Sequence, residues 1–185
     1  MKDHKTILND SKTDAESIAL WTDKYFTKSK QTLHHNPLVT YSVFVRRPIL
    51  MAPALATSWL HKATNGKINI QLNYAEGDLV GAGDALMYIT GHVQDLIETE
   101  THFLQKIGAV GVAAMNARDM CLELPNTPFL AMDARHCAGM EMAEMMAYAA
   151  SVGSAVAQKK NAKGFIGNAT AVSYTHLTLP TIYSV

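Results

Sequence analysis

Phe129-Leu130-Ala131-Met132-Asp133-Ala134-Arg135-His136-Cys137-Ala138-Gly139 is the stretch that decides the fold. Its first four residues are a short apolar run between Pro128 and Asp133, the pattern of a strand buried in a parallel sheet. Beyond Gly139, Met142, Met145, Met146, Ala149, Val152 and Val156 recur at helical intervals, which predicts a helix over 140–157. Gly164-Phe165-Ile166-Gly167 then reads as a second strand and its exit. Strand, helix and strand in that order predict the opening of an α/β barrel. Residues at the carboxyl end of a barrel strand point into the mouth where such folds keep their chemistry, so Asp133, Arg135 and His136 form the candidate catalytic centre. Arg135 offers a planar guanidinium able to grip a carboxylate or phosphate bidentately. A rim salt bridge to Asp133 or Glu141 is the competing assignment, and His136 would either donate to a phosphate or fill a polar rim.

Upstream, the pattern changes from α/β to α+β. Ile18, Leu20, Trp21, Tyr25 and Phe26 fall at approximately helical spacing ahead of the basic run Lys28 to Lys30, predicting a short helix. Val39 to Val45 is rich in β-branched and aromatic residues and stops at Arg46-Arg47-Pro48, which predicts a strand with a charged exit. Residues 67–91 alternate apolar and polar positions and turn through Glu76-Gly77-Asp78 and Gly81-Ala82-Gly83-Asp84, giving short antiparallel strands. From Val93 to about Leu122 the period becomes helical, in one helix or a pair, where Gly108 and Gly111 would let another backbone approach. The expected organisation is therefore an α+β N-terminal domain over 1–124, with helices and a small antiparallel sheet. The first strands and helix of a truncated α/β barrel follow over 125–171.

Composition narrows the partners. The 185 residues are 48% hydrophobic and 17% charged, with sixteen basic side chains against sixteen acidic ones. Such a chain has no net field to draw it to nucleic acid or anionic lipid, so any bound anion must be gripped locally. Cys121 and Cys137 lack metal-ligand spacing and make no disulfide framework, which suits a reducing compartment. No apolar run reaches the roughly 18 residues needed to span a bilayer, and the polar start has no signal-like core, so a cytoplasmic location is expected.

Several segments, taken in order, resemble the nicotinate phosphoribosyltransferase family. Thr22-Asp23-Lys24-Tyr25 is similar to the family's Thr-Asp-x-Tyr opening, Val43 to Pro48 to its strand ending in aromatic, basic and proline residues, and Leu96-Ile97-Glu98-Thr99 to its Leu-Leu-Glu-Thr helix. Glu76-Gly77 through Leu86 is similar to a Glu-Gly segment that leads into an apolar strand, and Gly164 to Thr170 resembles the family's Gly-x-x-Gly segment near the pyridine ring. Asp133-Ala134-Arg135-His136 resembles the Asp-Thr-Arg-Lys of quinolinate phosphoribosyltransferases, with histidine in place of lysine.

The resemblance implies transfer of phosphoribose from phosphoribosyl pyrophosphate to nicotinate, in NAD biosynthesis, with Mg²⁺ on the leaving group and ATP coupled in many members. It implies Arg135 and Asp133 at the chemical centre. Asp23, Tyr25, Arg46, Arg47, His136, Asn168 and Thr170 would bind substrate, with Tyr25 supplied across a homodimer to stack on a partner's pyridine. No residue set is assigned to a metal. Glu98, Glu100, Arg118, His92 and His102 are expected to be scaffold. Quinolinate and nicotinamide enzymes are the alternatives. A biotinyl or lipoyl carrier is a further one, but it needs an acceptor lysine at a hairpin tip, and no lysine lies between Lys67 and Lys106.

Val172 to Thr181 matches one reading frame of an adapter used in preparing sequencing libraries. Residues 172–185 are accordingly read as a non-native tail and excluded from the fold. The expected polypeptide lacks the later barrel strands and is inactive as written.

Overall fold

The computed structural model describes residue 22 and residues 24–168, apart from the side chains of Ala134 and Asn168. Asp23 and Thr170 lie outside the described residues.

Helix α1 (Lys24–Thr32) carries the basic run within it rather than after it. None of its residues is buried. It is tethered instead by polar contacts, with Lys30 Nζ 2.5 Å from Glu98 Oε2 and the Thr22 hydroxyl donating to the Glu98 carbonyl at 2.8 Å. Such a partly exposed pair is worth at most about 1 kcal/mol.

The antiparallel sheet follows the alternating segments. Strand β1 (Leu38–Phe44) and strand β3 (Asn69–Leu72) flank the central β5 (Ala85–His92), with Tyr41 and Ile70 both opposite Ile89. A second pair joins β2 (Ile49–Leu50) to β4 (Leu79–Val80). Val43, Leu86, Met87 and Ile89 point to one core with Leu60, Leu96, Phe103 and Ile107. Strand β2 and helix α2 (Ala54–Ala63) arise where the sequence offered no pattern. Ile49-Leu50-Met51-Ala52 is continuously apolar because every side chain there is buried, and a run without polar positions has no period to read.

The expected helix pair is present as α3 (Val93–Leu96) and the long α4 (Glu100–Glu123). Helix α4 packs along α6 (Met140–Gln158), with Val110, Ala114, Met145, Ala149 and Val152 between them. A Cβ at Gly111 would stand 2.5 Å from Ile49 Cδ1 and 3.1 Å from the Leu50 carbonyl, so this glycine admits β2 as expected; Gly108 faces open space. The tightest approach to another backbone was not foreseen. It lies at Gly153 of α6, where a Cβ would stand 2.3 Å from the Ala114 carbonyl oxygen.

Strands β6 (Phe129–Ala131) and β7 (Phe165–Asn168) pair in parallel, with α6 as the crossover that parallel strands require. Phe129 and Phe165 meet at 5.6 Å between ring centroids, and Ala131 and Phe165 are seated on Ala117, Cys121 and Ala157. Leu130 and Ile166 remain 50% and 44% exposed, so the pair is buried on its helix side alone. Among the described residues the strands form no closed barrel.

Tyr148 fastens α6 to the N-terminal segments. Its hydroxyl accepts from the Ala54 amide at 3.1 Å, a donor with no partner inside α2, and donates to the Glu76 carboxylate. Tyr148→Phe is expected to cost about 1–3 kcal/mol, the range for losing a buried bond to a charged group. Urea unfolding measures it; a loss below about 0.5 kcal/mol would mean that water replaces the hydroxyl at little cost.

Candidate active site

After β6 the chain turns through a four-residue helix, α5 (Asp133–His136). The Arg135 amide donates to the Met132 carbonyl at 3.1 Å and the Cys137 amide to the Asp133 carbonyl at 3.0 Å, which holds the turn. Asp133 is half-buried, and its Oδ2 has no hydrogen-bond partner among the described residues. Burial pushes its carboxyl above the usual range, an effect partly countered by a hydrogen bond to the backbone amide of Asp133 itself. The Cys137 thiol is pushed up by burial and then by the charge of Asp133, so it stays protonated at neutral pH and is a poor nucleophile.

Arg135 and His136 are exposed. Among the described residues neither side chain makes an ion pair. Neither competing rim bridge forms among the described residues: Asp133 Oδ2 has no partner, and Glu141 is engaged by Lys106 of α4. An arginine left unpaired beside a histidine at a parallel strand's carboxyl end can receive an anion without first breaking an internal bond.

A cavity of about 500 Å³ lies between β1 and the start of α4, lined among others by Tyr41, Phe44, Arg46, Glu100, Phe103 and Leu104. Among the described residues β1 pairs with β5 alone and forms one edge of its sheet. That volume suits one small ring compound with a polar group at its rim. The Tyr41 phenol is raised by burial and then by the charge of Glu100.

Of the expected site residues, Arg46 lines this cavity, whereas Arg47, Tyr25, Asp133, Arg135 and His136 do not. Tyr25 on α1 is 70% exposed, its ring edge-on to Phe26 at 5.5 Å. Asn168 pairs with Ala131 through the backbone of β7. The expected residues thus fall in two candidate half-sites, one at the end of β6 and one beside β1. Tyr41, which the sequence did not single out, and Glu100, expected as scaffold, also line this cavity. The only signal for Tyr41 is its place in the Val39, Tyr41, Val43 alternation, which reads equally well as core.

The scaffold residues sit as follows. Glu98 holds Lys30, Arg118 pairs with Asp119 at 2.5 Å, and His92 Nδ1 lies 2.8 Å from the Asn36 carbonyl. His102 packs 5.9 Å from Trp59 between ring centroids.

No family model matches the chain, and no curated protein matches it by sequence. Solved structures do match. NadC from Streptococcus pyogenes superposes with a TM-score of 0.60 at 18% identity, over 76% of this chain and 51% of that one. Nicotinate-nucleotide pyrophosphorylase from Ehrlichia chaffeensis does so at 0.61 and 15%, over 83% and 54%. The human nicotinic acid phosphoribosyltransferase gives 0.64 and 15%, over 89% and 39%. The chain shares their fold. It spans about half the length of the two bacterial proteins and less of the human one. Among the described residues no helix is long and apolar enough to cross a membrane.

Proposed function

We propose that the chain is part of a nicotinate phosphoribosyltransferase, which joins the ring nitrogen of nicotinate to phosphoribose and releases pyrophosphate. The observation that carries this is the unpaired Arg135, with His136 beside it, at the carboxyl end of β6. Its support is a fold shared with human nicotinic acid phosphoribosyltransferase; the fold shared with NadC and nicotinate-nucleotide pyrophosphorylase supports the quinolinate reading below equally.

The reaction needs positioning and charge stabilisation more than proton transfer, because the pyridine nitrogen attacks with a lone pair it already has. Arg135 would grip the nicotinate carboxylate or a phosphate of the donor. The unpartnered Oδ2 of Asp133 would accept a hydroxyl of the sugar. Arg46 and Arg47 would neutralise phosphate, and Tyr25 of a second copy would stack on the ring. Asp23, Asn168 and Thr170 stay substrate-binding proposals.

Among the described residues no three His, Cys, Asp or Glu side chains converge on a metal position. The Mg²⁺ proposed for the reaction would ride on the diphosphate, which Mg²⁺ commonly binds while keeping several waters, and would supply charge neutralisation to the leaving group.

Decarboxylating transfer to quinolinate is a second reading, favoured by Asp133 and Arg135 in the Asp-x-Arg order. Histidine at 136 speaks against it, since quinolinate's second carboxylate calls for the fixed positive charge of the lysine that stands there in the Asp-Thr-Arg-Lys pattern.

The full-length protein, assayed with phosphoribosyl pyrophosphate, Mg²⁺ and ATP, should turn over nicotinate at least about tenfold faster than nicotinamide, a discrimination of the size expected when a site's charged donor loses its carboxylate partner, and faster than quinolinate, whose second carboxylate meets no lysine at position 136. Release of ADP in the same assay marks ATP coupling. Turnover of quinolinate alone would overturn the choice of substrate.

A further inference from the structure

Lys106 is a charged side chain at a buried position in the second turn of α4. Only 10% of its side chain is exposed, against 74% for its partner Glu141. Its ammonium also lies 5.4 Å from the centroid of the Trp59 ring on α2. Three elements therefore converge on this one cation, and the carboxylate it holds is the second residue of α6, directly after the segment that carries Arg135. Helix α5 packs on α6, which keeps Glu141 in the neighbourhood of α5. Without Lys106, Glu141 would be an exposed, unpaired carboxylate six residues from an arginine that makes no ion pair among the described residues. Oppositely charged groups so placed find each other, and a paired arginine is a weaker anion ligand.

We propose that Lys106 is a positioning residue which sequesters Glu141 and so keeps Arg135 open for an anion. This rests on Arg135 being the anion-binding group of the proposed function, though not on the identity of the pyridine. Trp59 and the buried stem of Lys106 fix the ammonium in place, so the pairing does not depend on a mobile surface lysine.

The test is calorimetric titration of the full-length protein with inorganic pyrophosphate. Lys106→Met keeps the length and apolar stem, and it should weaken binding about three- to tenfold, the cost of an exposed competing carboxylate. The double variant Lys106→Met with Glu141→Gln should restore wild-type affinity, and Lys106→Arg should preserve it. Lys106→Gln carries the same expectation as the methionine variant should that one fail to fold. Equal weakening in the single and double variants would overturn the proposal, because Lys106 would then bind the anion itself or act only through the fold. Unchanged binding in Lys106→Met would also overturn it, as would a wild-type protein that binds no pyrophosphate. A protein that binds pyrophosphate but turns over none of the three pyridines loses the proposed function while leaving this inference standing.

Discussion

Gly153→Ala is expected to destabilise the protein by about 3 kcal/mol or more, the upper end of overpacking costs. The new methyl would stand 2.3 Å from the Ala114 carbonyl oxygen, 2.8 Å from Ala117 Cβ and 2.8 Å from the Arg118 amide nitrogen. Two of these are backbone atoms in the middle of a 24-residue helix, so no side chain can rotate away. Relief requires α4 and α6 to separate, which opens the layer of Val110, Ala114, Ala149 and Val152 between them. Alanine's helix propensity returns only about 1 kcal/mol, so the clash wins.

Two neighbouring glycines supply the contrast. Gly111→Ala meets chiefly the flexible end of Ile49, with the Leu50 carbonyl at a tolerable 3.1 Å, and should cost less. Gly108→Ala meets nothing within 4 Å and should stabilise by about 0.5–1 kcal/mol through propensity alone. Urea unfolding of the three variants should therefore rank them 108, 111, 153 from most to least stable. A Gly153→Ala protein as stable as the parent would mean that the two helices do not pack as described.

That ranking marks where the sequence could be read and where it could not. Periodicity located β1, β5, α4 and α6 within a few residues because each has one buried and one wet face. The stretch 49–63 went unread because Ile49 to Ala52 has no wet face. A close helix contact leaves a single glycine as its trace, and in the sequence Gly108, Gly111 and Gly153 look alike; only the partner helix tells which one carries a contact. The candidate site was legible to the same extent. Asp133, Arg135 and His136 are adjacent in the chain, so finding a strand end found all three. The cavity at Arg46 joins residues more than fifty positions apart, such as Tyr41 and Glu100, through a strand edge and a helix start. No local pattern records that meeting.

The two half-sites bear on the second large effect. Arg46 sits at the cavity beside β1 and Arg135 at the end of β6, and Tyr25 lines neither place as the chain stands. If the proposed function holds, a second copy must bring Tyr25 to the ring that Arg135 anchors. In the full-length protein, Arg135→Ala is then expected to lower kcat/KM by about 10²–10³, the loss seen when one preorganised charge-stabilising donor is removed. Tyr25→Ala should weaken nicotinate binding through lost stacking, by about 0.5–1.5 kcal/mol beyond the area it buries.

Mixing the two impaired variants, assayed at nicotinate well below saturation, separates a shared site from a self-contained one. In a symmetric dimer that exchanges subunits at random, half the dimers are mixed, and each mixed dimer has one site carrying both defects and one carrying neither, so about a quarter of wild-type activity should return. Sites completed within one subunit would regain nothing on mixing, because every site would still carry one defect. Activity that stays at the level of the separate variants, after subunit exchange has been verified, therefore removes Tyr25 from the partner's site. The exposure of Tyr25 on a helix with no buried residue would then need another explanation.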